Sequence, residues 1–357
     1  MLLERLVAHD FRNLRHLELT PAARFTVLEG DNGQGKTAIL EAIYVMACLK
    51  SFRAHRTADL VRHGEADARI HGLIVHDGVH RSLDVELGAR RRRVSLDGKA
   101  ARSLTEALGQ LTVVLFAPED LAITKGGPAH RRTFLDRAVF NRFPSSLDDM
   151  KRFEIALKQR NALLRDGGPD RLLDAFDEQL APAATRVVGW RTRYLSDLKP
   201  FFESAISEVT RGSHHAELRY EGSTPAGEDL IDWLRRRRVD DRRRSTTTTG
   251  PHVDDIGVFI DGHLARVVAS QGQHRALVLA LKIAEIRLLQ DAFGYSPLLL
   301  LDDVSSELDA SRNAELMRYL GGPAFDGQVF LTTTDRRHVL IDAPFSCLTI
   351  RAGEVVA

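Results

Sequence analysis

The sequence predicts an α/β fold in which a mixed sheet carries an antiparallel β part and an inserted α-helical lobe. Three observations predict it. A glycine-rich loop at 30–37 joins a β-forming run to a run of helical period. Between 68 and 100, β-forming runs are divided by His76-Asp77-Gly78 and Asp97-Gly98. Over roughly 128–210, apolar residues recur at three and four with few strand formers. Alternation or short apolar runs mark strands, and the three-and-four rhythm marks helix.

In chain order, LVAHDF, LRHLEL and FTVLEG are strand material. In the TAILEAIYVMACLK segment, Ile39, Leu40, Ile43, Met46 and Leu49 have helical spacing. ARIHGLIV, HRSLDVEL and RRVSL form hairpins, because Asp-Gly between β-runs favours the tight turn that matches strand twist. TVVLFAPED adds a strand, and Gly126-Gly127-Pro128 opens the helical region, which DGGPD interrupts at 166–170. No heptad runs far enough there for a long coiled-coil arm. An arginine-dense stretch punctuated by proline and glycine follows at 222–251. STTTTGPHVDDIGVFIDG returns to strand and hairpin chemistry, SQGQHRALVLALKIAEIRLLQ is a helix, and SPLLLLDD is a short buried strand. We expect residues 1–125 and 241–357 to build one head around a helical insertion at 126–240.

The 357 residues are 43% hydrophobic and 28% charged, values of a folded globular chain rather than a disordered or fibrous one. Fifty basic against 49 acidic residues give a net charge of +1, so binding to DNA or an anionic membrane needs local patches. Cys48 and Cys347 sit in apolar runs at opposite ends of the chain, which suits buried, reduced thiols and no disulfide framework. No apolar stretch reaches the ~18 residues of a membrane span, and the N-terminus lacks a signal-like core. A cytoplasmic location is expected.

Gly30-Asp31-Asn32-Gly33-Gln34-Gly35-Lys36-Thr37 fits G-x-x-x-x-G-K-[ST] between a strand and a helix, the context that gives this motif its meaning. Glycines let successive N–H groups turn inward around phosphate, the helix N-terminus adds its positive end, Lys36 offers a cation and Thr37 a hydroxyl for Mg²⁺. Leu298–Leu301 is a buried strand that delivers Asp302 and Asp303 at its C-terminal end, where ligands of open α/β sheets gather. Asp302 can hold the Mg²⁺ shell and Asp303 can orient water. Ser270-Gln271-Gly272-Gln273 opens a helix and makes an anion site from hydroxyl and N–H groups, though a bare N-cap explains Ser270 equally.

The order of P-loop, SQGQ, LLLLDD and Ser306-Glu307-Leu308-Asp309 resembles the SMC-like branch of ABC-type ATPases. DFRNL, GDNGQGKT, EAIY, FAPEDL, GGPAHRRTFLD, KQRNALL, TGPHVDD, SQGQ and LDDVSSELD together resemble the RecF family over essentially the whole chain. The resemblance implies an ABC-type ATPase head. It implies a cytoplasmic, ATP-dependent recombination mediator that clamps DNA at gaps and single-strand/double-strand junctions. Gap repair, replication restart and SOS induction are the processes implied, with RecO and RecR as partners in loading RecA. On this resemblance, Gly30–Thr37 are Walker A, Asp302 the Walker B aspartate and Asp303 the general base. Ser270, Gly272 and Gln273 then reach the ATP of a second copy, and Ser306 and Asp309 belong to the D-loop. A signature that caps phosphate from outside cannot fold back onto its own P-loop, so two chains would sandwich two ATPs.

Three departures bear on rate. The signature reads SQGQ rather than SGGQ, Asp303 stands where a glutamate base is usual, and Thr332-Thr333-Thr334-Asp335 replaces a switch histidine. A shorter carboxylate and no imidazole predict slow hydrolysis. An ATP-gated DNA-binding module with incidental hydrolysis is the alternative; a transporter-type subunit would need the three features that are missing.

For DNA, Arg90–Arg93, Arg131, Arg132, Arg235, Arg236, Arg237, Arg238, Arg242, Arg243 and Arg244 offer guanidiniums to phosphate, although any one cluster is more simply a solvated face. No aromatics interleave with them, which favours duplex backbone over base stacking. His63, His214, His215 and His252 lack metal-ligand spacing and read as surface or hydrogen-bonding residues, and Trp190 and Trp233 as core or interface anchors.

Overall fold

The computed structural model describes residues 1–54, 56–88, 91–304 and 310–356. Its elements are β1 (Leu2–Phe11), β2 (Leu14–Leu19), β3 (Phe25–Glu29), α1 (Lys36–Cys48), β4 (Asp67–His76), β5 (Val79–Gly88), β6 (Arg92–Leu96), β7 (Lys99–Ala100), α2 (Leu104–Ala107) and β8 (Val113–Phe116). There follow α3 (Leu121–Lys125), α4 (Pro128–Arg142), α5 (Ser146–Arg165), α6 (Asp170–Thr210), β9 (Ala216–Glu221), α7 (Leu230–Arg244), β10 (Asp255–Ile260), β11 (His263–Leu264), α8 (Ala265–Val268) and α9 (Gln271–Phe293). The chain closes with β12 (Leu298–Leu301), α10 (Ala310–Gly321), β13 (Val329–Thr333), β14 (Ser346–Arg351) and β15 (Glu354–Val356). It divides into two compact units, one of Met1–Asp120 with Glu285–Ala357 and one of Leu121–Ala284.

The first unit holds two six-stranded sheets. One is antiparallel in the order β2-β1-β4-β5-β6-β7. Its hairpins turn at Asp77-Gly78 and Asp97-Gly98, all four residues at positive φ, the geometry expected of two-residue Asp-Gly turns. The other runs β15-β14-β3-β13-β12-β8 and is parallel apart from the β14–β15 pair. Its central strands are buried apolar runs, because a parallel sheet is covered on both faces. Helix α1 packs against β1, β4 and β5 of the first sheet and β8 and β13 of the second. A helix held between two sheets is buried all round, and Ala38 through Ala47 are buried without a break, apolar or aromatic apart from Glu41.

β13 lies between β3 and β12, with Thr333 opposite Glu29 and Leu331 opposite Leu301. The loop after β3 and the aspartates after β12 therefore emerge at the same sheet end, on either side of Thr332.

In the second unit, α5 and α6 pack together after the turn at 166–169, and α6 runs for 41 residues with Pro182 and Pro200 inside it. Phe153, Ala156, Leu180, Ala184, Val187 and Leu234 form a core cluster shared by α5, α6 and α7. The arginine-dense stretch, expected as punctuated chain, folds as α7 because Asp229 caps the N–H groups of Ile231 and Asp232 and arginine is a good helix former. Strands β9, β10 and β11 make a three-stranded antiparallel sheet. Cys48 and Cys347 are half-buried rather than fully enclosed.

Candidate functional site

The glycine-rich loop is held from outside by its own unit. Gly30 sits at φ 157°, and a Cβ there would drive into the carbonyl oxygen of Ile350 in β14. Gly35, at φ 112°, is the N-cap of α1 and offers no side chain to the first-turn N–H groups. Those donors therefore point out of the helix end, where an anion satisfies them. Asn13 donates to the Gly33 carbonyl over 3.2 Å, and Gly353 and Ala352 donate through their N–H groups to the Gln34 carbonyl (2.8 Å) and Gln34 Oε1 (2.6 Å).

Lys36 Nζ donates to the carbonyls of Gly30 (2.6 Å) and Asp31 (2.8 Å). The ammonium is thus folded back on the loop it would use for phosphate. Burial pushes its pKa down, opposed by the carboxylates of Asp303, Asp302 and Asp31. Thr37 Oγ1 donates to Asp302 Oδ1 over 2.9 Å, and Thr332 Oγ1 donates to the same oxygen over 2.9 Å. Asp302 is 7% exposed. Burial raises its pKa, against the pull of the two hydroxyl donors. Asp303 adopts φ 50°, a left-handed backbone, and its N–H donates to Thr332 Oγ1 over 2.9 Å. One threonine therefore ties both aspartates. Its place in TTTD was visible in the sequence, but its role depends on β13 lying beside β12.

Asn32 completes the loop as an exposed residue beside Asp31 and Gly33. The donor set of a threonine hydroxyl and a carboxylate is hard oxygen chemistry, which fits Mg²⁺ completed by phosphates and water. Among the described residues no cluster of three or more His, Cys, Asp or Glu is placed to hold a metal ion.

Ser270–Gln273 belongs to the second unit. Gln273 N–H donates to Ser270 Oγ (3.2 Å) and Ser270 N–H donates to Gln273 Oε1 (2.7 Å), a reciprocal capping box. Gly272 lies between them in the first turn of α9, and Gln271 Oε1 accepts from Lys125. Val267 and Val268, just before Ser270, are 74% and 52% exposed. Ser306 and Asp309 lie outside the described residues, as does Arg90.

The arginine candidates are more engaged than their number suggests. Arg131 is 3% exposed, and its Nε and Nη2 each donate to Asp255 over 2.7 Å. This corrects the expectation for Arg131: a guanidinium buried against its own carboxylate presents no face to phosphate. Arg132 Nη1 donates to the Asp254 carbonyl over 2.9 Å. On α7, Arg235 pairs with Asp174 and Asp232, Arg236 with Glu228, and Arg237 and Arg243 with Asp240. Arg238 pairs with Asp174 and Asp177, and Arg242 with Asp170. In the first unit Arg91 pairs with Asp67, and Arg92 donates to Thr57 Oγ1.

Sequence reasoning missed the bidentate pair of Arg12 with Glu41, at 2.8 Å for each bond, which ties β1's end to the buried face of α1. Both residues lay in motifs already singled out, DFRNL and EAIY, but nothing in spacing links them. His252 is half-buried, which lowers its pKa, Trp190 donates to Asp149, and Trp233 is half-buried under Arg236.

The profile of the RecF/RecN/SMC N terminal domain family matches residues 2–343. The "DNA replication and repair protein RecF" of Myxococcus xanthus (strain DK1622) is 47% identical over 348 residues, covering 94% of this chain and 91% of that protein. A solved structure of the recombination mediator protein RecF with ATP, in the RecFOR pathway, shares 30% identity at a TM-score of 0.89 and covers 99% of this chain and 96% of its own. The Smc head domain with an extended coiled coil from Pyrococcus furiosus, bound to the C-terminal domain of ScpA, shares the fold: 16% identity, TM-score 0.56, covering 99% of this chain and 95% of that one.

Proposed function

The chain belongs to the RecF family of SMC-like ATPases, and on that premise we propose that it is an ATP-gated DNA clamp acting as a recombination mediator in DNA replication and repair. The observation that carries the reading is the Thr37–Asp302 hydrogen bond, which sets a hydroxyl and a carboxylate side by side at the mouth of the glycine-rich loop.

Gly30, Asp31, Asn32, Gly33, Gln34 and Gly35 wrap the triphosphate with backbone N–H groups. Lys36 exchanges its two carbonyl acceptors for phosphate oxygens. Thr37 and Asp302 hold Mg²⁺, which when bound neutralises charge on the phosphates. Asp303 orients the attacking water and accepts its proton. An aspartate in place of glutamate reaches less far, and a threonine cluster supplies no imidazole, so turnover is slow and ATP serves chiefly as a clamp. Ser270, Gly272 and Gln273 complete the site of a second copy, with Ser306 and Asp309 alongside. The exposed Val267 and Val268 beside Ser270 support an assembled state in which that face is covered. The functional division we propose, 1–125 with 241–357 for the head and 126–240 for the helical lobe, differs from the two compact units, which group 241–284 with the helical lobe.

DNA, gapped or at a junction, is gripped in the assembled state through the exposed arginines Arg235, Arg236 and Arg243, with Arg132 and Arg242 as further candidates. RecR and RecO are the protein partners and RecA the indirect one, in the cytoplasm. No helix among the described residues is long and apolar enough to cross a membrane.

Sedimentation of wild type and Lys36→Ala with ATP, beside gel shifts of gapped, duplex and single-stranded DNA with and without ATP, tests the reading. The expected result is ATP-dependent dimers and DNA binding that Lys36→Ala abolishes; dimers at wild-type level in the variant would overturn it.

A further inference from the structure

Ser270 and Gln273 are not held by the capping box alone. Gln273 Nε2 donates to His214 Nε2 over 3.3 Å. His214 Nδ1 in turn donates to Asp261 Oδ2 over 2.7 Å, and the other oxygen, Asp261 Oδ1, accepts from the N–H of His215 over 2.9 Å. Asp261 is placed by the β10–β11 turn, where Asp261 and Gly262 have φ 49° and 80° between the paired Ile260 and His263. Three side chains, Asp261, His214 and Gln273, thus form one line from a hairpin turn to the main-chain N–H of Ser270 at the start of α9.

The donors and acceptors fit in only one sense. A backbone N–H can only donate, so the contact from Ser270 fixes Gln273 Oε1 toward Ser270 and the amide nitrogen toward His214. A carboxylate can only accept, so His214 Nδ1 carries the proton and Nε2 presents a lone pair to the amide. With Ser270 Oγ accepting from the Gln273 N–H, the hydroxyl proton of Ser270 is directed elsewhere. Ser270 is exposed, so its proton is available to a ligand arriving from outside the unit.

We propose that His214 and Asp261 are positioning residues for the signature: through the Gln273 side chain they hold the main-chain N–H of Ser270, and so fix the helix start from which the Ser270 hydroxyl donates to the terminal phosphate of an ATP held by a second copy of this chain. The inference rests on the signature reading given above. It adds to that reading one residue just before β9 and one in the β10–β11 turn, outside the motif, with a defined direction of hydrogen bonding. A carboxylate–imidazole pair orienting a group in this manner is a familiar arrangement of site support. Here the oriented group is an amide that holds a helix start.

The test compares His214→Phe, which fills the space but neither donates nor accepts, His214→Gln, which restores a donor and an acceptor, and Ser270→Ala. Binding of a fluorescent ATP analogue to protomers is measured at protein concentrations below dimerisation, and ATP-induced dimerisation by sedimentation velocity. Ser270→Ala and His214→Phe are each expected to weaken dimerisation about a hundredfold, the scale of two hydrogen bonds, one at each of the two ATPs. His214→Phe is expected to leave the nucleotide affinity of the protomer as in wild type, because the site it supports lies on the other copy. His214→Gln recovers most of the loss, and the double variant His214→Phe/Ser270→Ala is no weaker than Ser270→Ala. Full dimerisation by His214→Phe beside a defective Ser270→Ala would overturn the relay and leave the signature reading standing, as would a His214→Gln variant as impaired as His214→Phe. Full dimerisation by Ser270→Ala would instead overturn the signature reading itself.

Discussion

Thr37 Oγ1 lies 2.9 Å from Asp302 Oδ1 and donates to it, so the first turn of α1 is bonded to the end of β12. That oxygen also accepts from Thr332, and the carboxylate is nearly buried. Burial raises the pKa of Asp302, so its charged form is costly in the fold at neutral pH. The sign follows: this group favours folding most below the ordinary carboxylate pKa and loses that contribution as pH rises through its elevated value. Asp302→Asn keeps the oxygen that both threonines need and removes the charge. The variant is expected to melt higher than wild type at pH 7 without nucleotide. The advantage should shrink as pH falls through the raised pKa and vanish below about 4, where wild type is protonated in both states. ATP should no longer raise its melting temperature, since the cation loses its carboxylate. Thermal melts at two pH values with and without Mg·ATP check all three.

Asp303 holds a left-handed backbone, and its N–H is fixed by Thr332. Asparagine tolerates that conformation as well as aspartate does, so Asp303→Asn removes the proton acceptor while leaving the turn intact. Nucleotide affinity should stay near the wild-type value, ATP hydrolysis should fall by about 100-fold or more, and the ATP-bound dimer should live correspondingly longer. Hydrolysis at the wild-type rate would remove Asp303 from the role of base.

The glycine-rich loop, the helix after it and the two aspartates were legible because each is local: strand, turn and helix signals within a few tens of residues. The antiparallel sheet was equally legible from its Asp-Gly turns. What local pattern could not reveal was pairing across the chain. Arg12 and Glu41 sit in separate motifs, and only the packing of α1 against the antiparallel sheet makes one the counter-charge of the other. Thr332 reads as a lost histidine until β13 is seen between β3 and β12. His214 and Asp261 carry no spacing that points to Gln273. Helix α7 was hidden because its arginines look like a charge run, when acids of α6 neutralise many of them.

Arg160 shows the same effect inside the helical lobe. It is fully buried, donating to Asp177 (2.6 Å), Asp241 (2.7 Å) and Thr247 (2.9 Å), and both aspartates are fully buried as well. Removing one partner of a buried ion network strands the rest without compensation, at about 3–5 kcal/mol. Arg160→Ala is therefore expected to lower the unfolding free energy of this unit by about that amount in urea titration. A loss below about 1 kcal/mol, the scale of an exposed pair, would mean the network is not coupled.

At a DNA interface, the ion pairs decide which arginines count. Arg235, Arg236 and Arg243 have side chains 47%, 51% and 72% exposed, and their pairs with Asp174, Asp232, Glu228 and Asp240 sit at the surface. Such pairs contribute about 0–1 kcal/mol, so a phosphate can replace the carboxylate at little cost. Arg131 is the opposite case, bidentate and buried against Asp255. Each phosphate neutralised steepens the fall of log affinity with log salt by about 0.9. The triple variant of Arg235, Arg236 and Arg243 to alanine should flatten that slope by up to about 2.7, whereas Arg131→Ala should lower stability and leave the slope unchanged. ATP-bound protein titrated with duplex DNA at several salt concentrations measures both. A triple variant with the wild-type slope would move the DNA interface off α7.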